Sequence, residues 1–273
     1  MFIEFESAQI NYEFLRRDTS NLPYIILLHG FTGSLEDWHQ FENYFSKDYN
    51  LVGIDMIGHG KSDAPSDLSY YSTDSIIRQI KKVKEAVTGK KIFLLGYSMG
   101  GRAALNYSLS FPYDLEGLIL ESATSGITNS TLKFERERTD RNLAEFILSN
   151  PVEKFVDDWI NREIFQTQKN LSEGVLNEIR NRKLKCNKTG IANSLLGFGA
   201  GVMEPVFDKL TNIRIPVQLI CGELDNKFVD INHHIHKLIP NTKLSIIKNA
   251  GHNVHLEETK QYADVVYSFV GSF

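Results

Sequence analysis

A doubly wound α/β fold carrying an inserted helical cap is predicted by three features of this 273-residue sequence. Short, near-continuous apolar runs alternate with segments of helical periodicity, the pattern of parallel strands covered on both faces. One such run, residues 91–95, leads straight into Gly96-Tyr97-Ser98-Met99-Gly100-Gly101, where glycines flank a serine at the spacing of a tight strand-to-helix turn. Between residues 124 and 207 the strand pattern stops, and a more polar, wholly helical texture takes over.

The elements follow in order. Alternating residues at 2–5 and 10–15 suit an antiparallel hairpin. Runs at 24–28, 51–54, 92–95 and 118–120 read as buried parallel strands. A helix over 73–87 is predicted by Ile76, Ile77, Ile80, Val83, Ala86 and Val87, which recur at helical spacing, and a second follows the serine over 102–110. Strand character resumes at 216–220 and 244–247. Residues 1–123 and 208–273 are therefore expected to build one core, with 124–207 as a cap above the carboxyl ends of the strands. Ligands of such sheets collect there, and an insertion at that edge excludes water and selects substrates.

Composition narrows the function classes. With 42% hydrophobic and 23% charged residues the chain can bury one large core, and its net charge of −4 offers no global attraction for nucleic acid or anionic lipid. The first six residues, Met-Phe-Ile-Glu-Phe-Glu, lack the basic and long apolar regions of a signal peptide, and no stretch approaches the roughly 20 apolar residues of a membrane span. Cys186 and Cys221 have no metal-type spacing, so neither a disulfide framework nor a zinc site is indicated, and a reducing cytoplasm is expected. His233, His234 and His236 lie in a helical segment without supporting carboxylates or thiolates, and Lys81, Lys82 and Lys84 likewise read as a solvated face.

The glycine-flanked serine reads as a nucleophile elbow, whose turn exposes Oγ beside a histidine and facing backbone donors. The other parts of a triad are expected at the ends of later strands, in the order serine, acid, histidine. Asp225 stands just past one strand and His252 follows the last, with Glu223, Asp230 and Glu121 as nearby alternatives for the acid. His252 would hold the serine proton, and Asp225 would fix its tautomer and stabilise the imidazolium. Backbone N–H groups of Met99, after the serine, and of Phe31, in His29-Gly30-Phe31-Thr32-Gly33-Ser34, stand where an oxyanion would be held. His29 reads as a brace for that loop rather than a catalyst.

Charge around the serine bears on the substrate. Arg102, one helical turn after Ser98, either reaches back towards the site or is neutralised by a cap carboxylate. For a cap helix over 136–147, stepping about 100° per residue from Leu143 puts Arg136 near about 20°, with Leu132, Phe146 and Ile147, and Arg138 near about 220°, on the opposite face. An inward Arg136 needs a partner: Asp140, four residues on, or a substrate carboxylate. Arg180, beside Leu176 and Ile179, sits at the margin of its apolar face, and Trp159 either lines the site or packs the cap core.

These motifs resemble the 2-succinyl-6-hydroxy-2,4-cyclohexadiene-1-carboxylate synthase family, pyruvate-eliminating enzymes of menaquinone biosynthesis with the α/β-hydrolase fold. The likeness covers nearly the whole chain. It rests on Gly96-Tyr97-Ser98-Met99-Gly100-Gly101-Arg102, Leu120-Glu121-Ser122-Ala123, the cap segment 136–144, residues 155–159 with Ile164-Phe165, residues 191–201, and Gly222-Glu223-Leu224-Asp225-Asn226-Lys227-Phe228. It implies Ser98, Asp225 and His252 as the triad, and Tyr97, Arg102, Arg136, Trp159 and Arg180 as substrate contacts. Asp157-Asp158 holds one residue more than some relatives before the tryptophan, and alignment alone leaves Arg136 and Arg138 interchangeable. The implied reaction is an elimination from a small polycarboxylate, with a triad-activated base and no metal or organic cofactor. A serine hydrolase of an ester, thioester or carbon–carbon bond would share the triad and oxyanion loop without needing several inward arginines. A catalytically silent small-molecule receptor would not need an intact triad.

Overall fold

A computed structural model of the chain describes residues 1–16, 21–42, 44–45 and 48–273. Eight strands form one sheet: β1 (Phe2–Phe5), β2 (Ala8–Arg16), β3 (Tyr24–Leu28), β4 (Asn50–Ile54), β5 (Ile92–Tyr97), β6 (Leu115–Glu121), β7 (Val217–Gly222) and β8 (Thr242–Ile247). Their spatial order is β1-β2-β4-β3-β5-β6-β7-β8, with β1 and β2 antiparallel to their neighbours and the rest parallel. Because β3 lies between β4 and β5, the loops leaving β3 and β5 emerge side by side where the winding reverses, the place where ligands of open sheets bind.

Helices cover both faces. On one side pack α2 (Thr73–Val87), α3 (Met99–Ser110) and α8 (Asn226–Leu238), and on the other α1 (His39–Glu42) and α10 (Thr259–Val270), with the short α9 (Val254–Glu257) between the last strand and α10. The central strands are near-continuous apolar runs because they are buried on both faces; every residue of β4, β5 and β7 is buried. The α2 helix starts where Ser72 accepts the Ser75 N–H, and it buries Ile76, Ile77, Ile80 and Val83 of the stripe that its periodicity predicts, while Ala86 in the last turn is exposed and Val87 only partly buried.

Between β6 and β7 the chain forms α4 (Ser130–Ser149), α5 (Val152–Ile160), a 3₁₀ segment Glu163–Asn170, α6 (Glu173–Lys183) and α7 (Lys188–Phe198). Of these, α4, α5 and α7 share a separate small core of Leu143, Ala144, Ile147, Phe155, Val156 and Ile191. Leu132, expected on the inward stripe, is exposed instead: it lies in the first turn of α4, beyond the reach of that core. Among the described residues no helix is long and apolar enough to cross a membrane, and both cysteines are free.

Candidate active site

Ser98 occupies the turn between β5 and α3 with φ +51° and ψ −103°, a conformation that costs free energy and is held by its surroundings. Its N–H donates to the Glu121 carbonyl at 2.8 Å. The flanking glycines are a steric requirement, since a Cβ at Gly96 would stand 2.3 Å from the Gly100 carbonyl oxygen, and one at Gly100 would stand 2.3 Å from that of Leu28. Within residues 92–101 only Ser98 is not fully buried, so the turn lifts its hydroxyl into the open.

The loops after β7 and β8 supply the partners. Asp225 caps α8, taking the Phe228 N–H on Oδ1, and its Oδ2 lies 2.7 Å from His252 Nδ1. Nδ1 is therefore the donor, which leaves His252 Nε2 free to accept from Ser98 Oγ, 3.0 Å away. Phe228 and Tyr97 pack on the His252 ring with centroids 4.5 and 5.5 Å apart. Glu121 belongs elsewhere: both of its oxygens meet Nδ1 of the buried His255, at 3.0 and 2.8 Å, behind the Tyr97 ring.

The loop after β3 is braced from below. The Met56 N–H donates to His29 Nε2 at 3.0 Å, so the proton sits on Nδ1, 2.7 Å from the Gly30 carbonyl. Burial lowers the His29 pKa and keeps the ring neutral. Asp55 accepts from the Leu35 and Lys61 N–H groups and from Asn11, each at 2.8 Å. This frame holds Phe31 and the left-handed Thr32, φ +63°, beside the elbow. Among the described residues neither the Phe31 nor the Met99 N–H is taken up by a backbone acceptor, and the β3–β5 register, Leu28 opposite Gly96, brings their two loops together.

The five expected substrate contacts have different surroundings. Tyr97 is buried against Gly30 and the two histidines, and burial raises its phenol pKa well above normal. Arg102 is buried, donates to the Phe198 carbonyl at 2.8 Å and lies over the Phe198 ring; it meets a cap carbonyl where a carboxylate was the structural alternative. Burial, then the nearby Arg136, lowers its pKa to about 10, so it stays cationic at neutral pH. Arg136 is half-buried and pairs with the buried Asp140 at 2.8 Å, whereas Arg138 is exposed. Arg180 is at the surface in a two-point pair with Asp157, 2.7 and 3.2 Å, which holds that carboxylate below its usual range. Trp159 stands edge-on to Phe31 at 5.1 Å and to Phe165 at 5.6 Å, roofing the elbow, with its Nε1 buried and unbonded.

A small cavity opens beneath these aromatics, lined by Phe31, Tyr97, Phe165, Gln168, Lys183 and Asn253 among others. Lys183 and Gln168 were not visible as site residues in the sequence. Lys183 sits in the charged run 180–185, where composition singles out no member, and its partner is 151 residues away. His233, His234 and His236 are exposed on α8, and among the described residues no group of three or more His, Cys, Asp or Glu side chains could hold a metal ion.

Known proteins show the same plan. The alpha/beta hydrolase fold family profile matches residues 23–259. A candidate 2-succinyl-6-hydroxy-2,4-cyclohexadiene-1-carboxylate synthase of Bacillus subtilis is 39% identical over 91% of this chain and 90% of its own length. The synthase of that name from Shigella flexneri is 28% identical over 86% of this chain and 89% of its own. Among solved structures, MenH from S. aureus superposes with a TM-score of 0.92 at 30% identity, covering 96% of this chain and 98% of that one. This chain belongs to the 2-succinyl-6-hydroxy-2,4-cyclohexadiene-1-carboxylate synthase family, on the alpha/beta hydrolase fold.

Proposed function

We propose that the protein is a carbon–oxygen lyase of menaquinone biosynthesis, acting in the cytoplasm on 2-succinyl-5-enolpyruvyl-6-hydroxy-3-cyclohexene-1-carboxylate and releasing pyruvate. The observation that carries this is the hydrogen-bonded chain Asp225–His252–Ser98, whose neighbours Tyr97 and Phe31 line a cavity under the cap, in a chain of this family. The ring proton at C2 is acidic because it is both allylic and α to the succinyl ketone. In this scheme Ser98 Oγ takes that proton while its own passes to His252 Nε2, and Asp225 stabilises the imidazolium. The C2–H electrons form C2=C3, the C3=C4 pair moves to C4=C5, and the C5–O bond breaks to expel the pyruvate enolate. A 2,4-cyclohexadiene remains. Charge building on the ketone oxygen is held by the Phe31 and Met99 N–H groups, each such donor being worth about 3 kcal/mol of barrier.

Residues 124–207 serve as the lid, keeping water from the enolate, and Tyr97, Arg102, Arg136, Trp159 and Arg180 form the substrate-binding wall. The triad fits proton abstraction without an acyl-enzyme, so a hydrolase-like site runs a lyase reaction. The test is release of pyruvate from that substrate, followed with lactate dehydrogenase, beside turnover of p-nitrophenyl esters. Stoichiometric pyruvate with little ester cleavage is expected; brisk ester hydrolysis without pyruvate refutes the assignment in favour of a serine hydrolase.

A further inference from the structure

Of the cations lining the cavity, Lys183 is one whose charge the described residues leave available. It closes α6, is half-buried, and donates from Nζ to Thr32 Oγ1 at 2.8 Å. That bond uses one of three ammonium donors and gives it a neutral partner. Among the described residues no carboxylate comes within ion-pair distance of it. The nearest acid that it senses, Asp37, is held by Arg182 at 3.2 Å and by the Ser34 N–H. The other cations are engaged more fully, Arg136 with Asp140 and Arg180 with Asp157, while Arg102 is capped by the Phe198 carbonyl. Burial lowers the Lys183 pKa, the mark of an ammonium short of negative charge.

Lys183 also lines the same cavity as Phe31 and Tyr97. Of the charged groups facing that cavity, Arg182 and Asp37 cancel, and Lys183 is left as the net positive charge, His255 being engaged with Glu121. Thr32, to which it is tied, directly follows Phe31 in the oxyanion loop.

We propose that Lys183 is a specificity-determining residue that binds the terminal carboxylate of the substrate's succinyl chain. The inference rests on the elimination proposed above. With the succinyl ketone oxygen at the Phe31 and Met99 N–H groups, the terminal carboxylate lies two methylenes further along the chain, on the side where the Lys183 ammonium is tied to Thr32, the residue after Phe31. A carboxylate there makes a charge-assisted bond without displacing any ion pair.

Two aromatic probes test it by calorimetry: benzoate bearing an ortho succinyl chain, and the same ring bearing a butanoyl chain, which lacks the terminal carboxylate. Wild type is expected to prefer the succinyl probe by about 30-fold, the scale of one hydrogen bond to a charged group. Lys183→Met should reduce that preference below about 3-fold, with Lys183→Arg retaining most of it. Thr32→Val, which removes only the tether, should keep the preference; its collapse there as well as in Lys183→Met would make Lys183 a mere loop prop and overturn the proposal. A preference that survives in Lys183→Met, or is absent from wild type, overturns the proposal. Lys183→Gln replaces the methionine variant if thermal melting shows the latter unfolded. Pyruvate release by wild type is scored separately, so failure of the elimination reading and failure of the lysine assignment are distinct results.

Discussion

Lowering the pH from 8 to 5 should cost the fold about 2 kcal/mol through His59 alone. His59 is 2% exposed, its Nδ1 donates to the Ile57 carbonyl at 3.1 Å, and its Nε2 is buried without a partner. Its ring lies 5.1 Å from that of His29 and 6.0 Å from that of Phe31, beneath the oxyanion loop. Burial first, then the neighbouring His29, pulls its pKa to about 3 from 6.5. The sign follows from which state binds the proton. The native ring stays neutral down to about 3, whereas the unfolded chain protonates below about 6.5, so stability is intact above that value and drains as pH falls towards 3. At pH 5 the unfolded imidazole is protonated over neutral by about 30 to 1, which is about 2 kcal/mol. His29, lowered in the same direction, adds to the loss. Urea unfolding followed by tryptophan fluorescence at pH 8, 6 and 5 measures it, beside His59→Asn, whose amide nitrogen stands where Nδ1 donates. The variant should lose about 2 kcal/mol less than wild type between pH 8 and 5. Parallel pH dependences in the two proteins would refute the reasoning.

Ser98→Ala should abolish pyruvate release while the succinyl benzoate probe still binds by calorimetry, and Asp225→Asn, which frees the His252 tautomer, should lower kcat by about 10³–10⁴-fold. Arg136→Ala should raise KM more than Arg138→Ala, which should stay within about 2-fold of wild type; the reverse ranking would mean that the substrate meets the outer face of α4. Gly100→Ala, whose Cβ has nowhere to go beside the Leu28 carbonyl, should destabilise the fold by about 3 kcal/mol, read as a lowered Tm in scanning calorimetry.

The sheet and the elbow were legible because their signals are local. The α2 helix runs over the 73–87 span that its periodicity predicts, and Ser98, Asp225 and His252 come together because each stands just past the carboxyl end of a strand, where connections are short. The cap is different, since its outcome depends on long-range pairing. Arg136 and Asp140 are four residues apart and could be paired from the sequence, but Arg180 meets Asp157 across 23 residues and Lys183 meets Thr32 across 151. Helical facing separated Arg136 from Arg138 correctly yet put Leu132 inside, because periodicity gives the direction of a side chain and not the extent of the surface opposite. His255 and Glu121 were hidden for a related reason: only the fold shows which histidine each acid reaches.

The pairing of the cap arginines bears on how the site discriminates. A half-buried guanidinium left without a partner is costly, so the fold supplies Arg136 with the buried carboxylate of Asp140, while Arg180 pairs with Asp157 at the surface. A substrate carboxylate reaching either arginine has to take the place of that acid, and a neutral ester has nothing to offer in exchange. Separating a buried pair costs about 3–5 kcal/mol, whereas one hydrogen bond to a charged group returns about 1.5–3. Since Arg136 is 40% exposed, its share falls well below that buried limit. One carboxylate is then at best an even exchange, and net binding needs further carboxylates or a cation that needs no exchange at all. Lys183 is such a cation, and Arg102, already facing only a carbonyl, is close to one. A monocarboxylate should therefore gain little over a neutral ligand at the arginines, and affinity should climb steeply once a second carboxylate is present, a dependence that a site lined by free cations would not show.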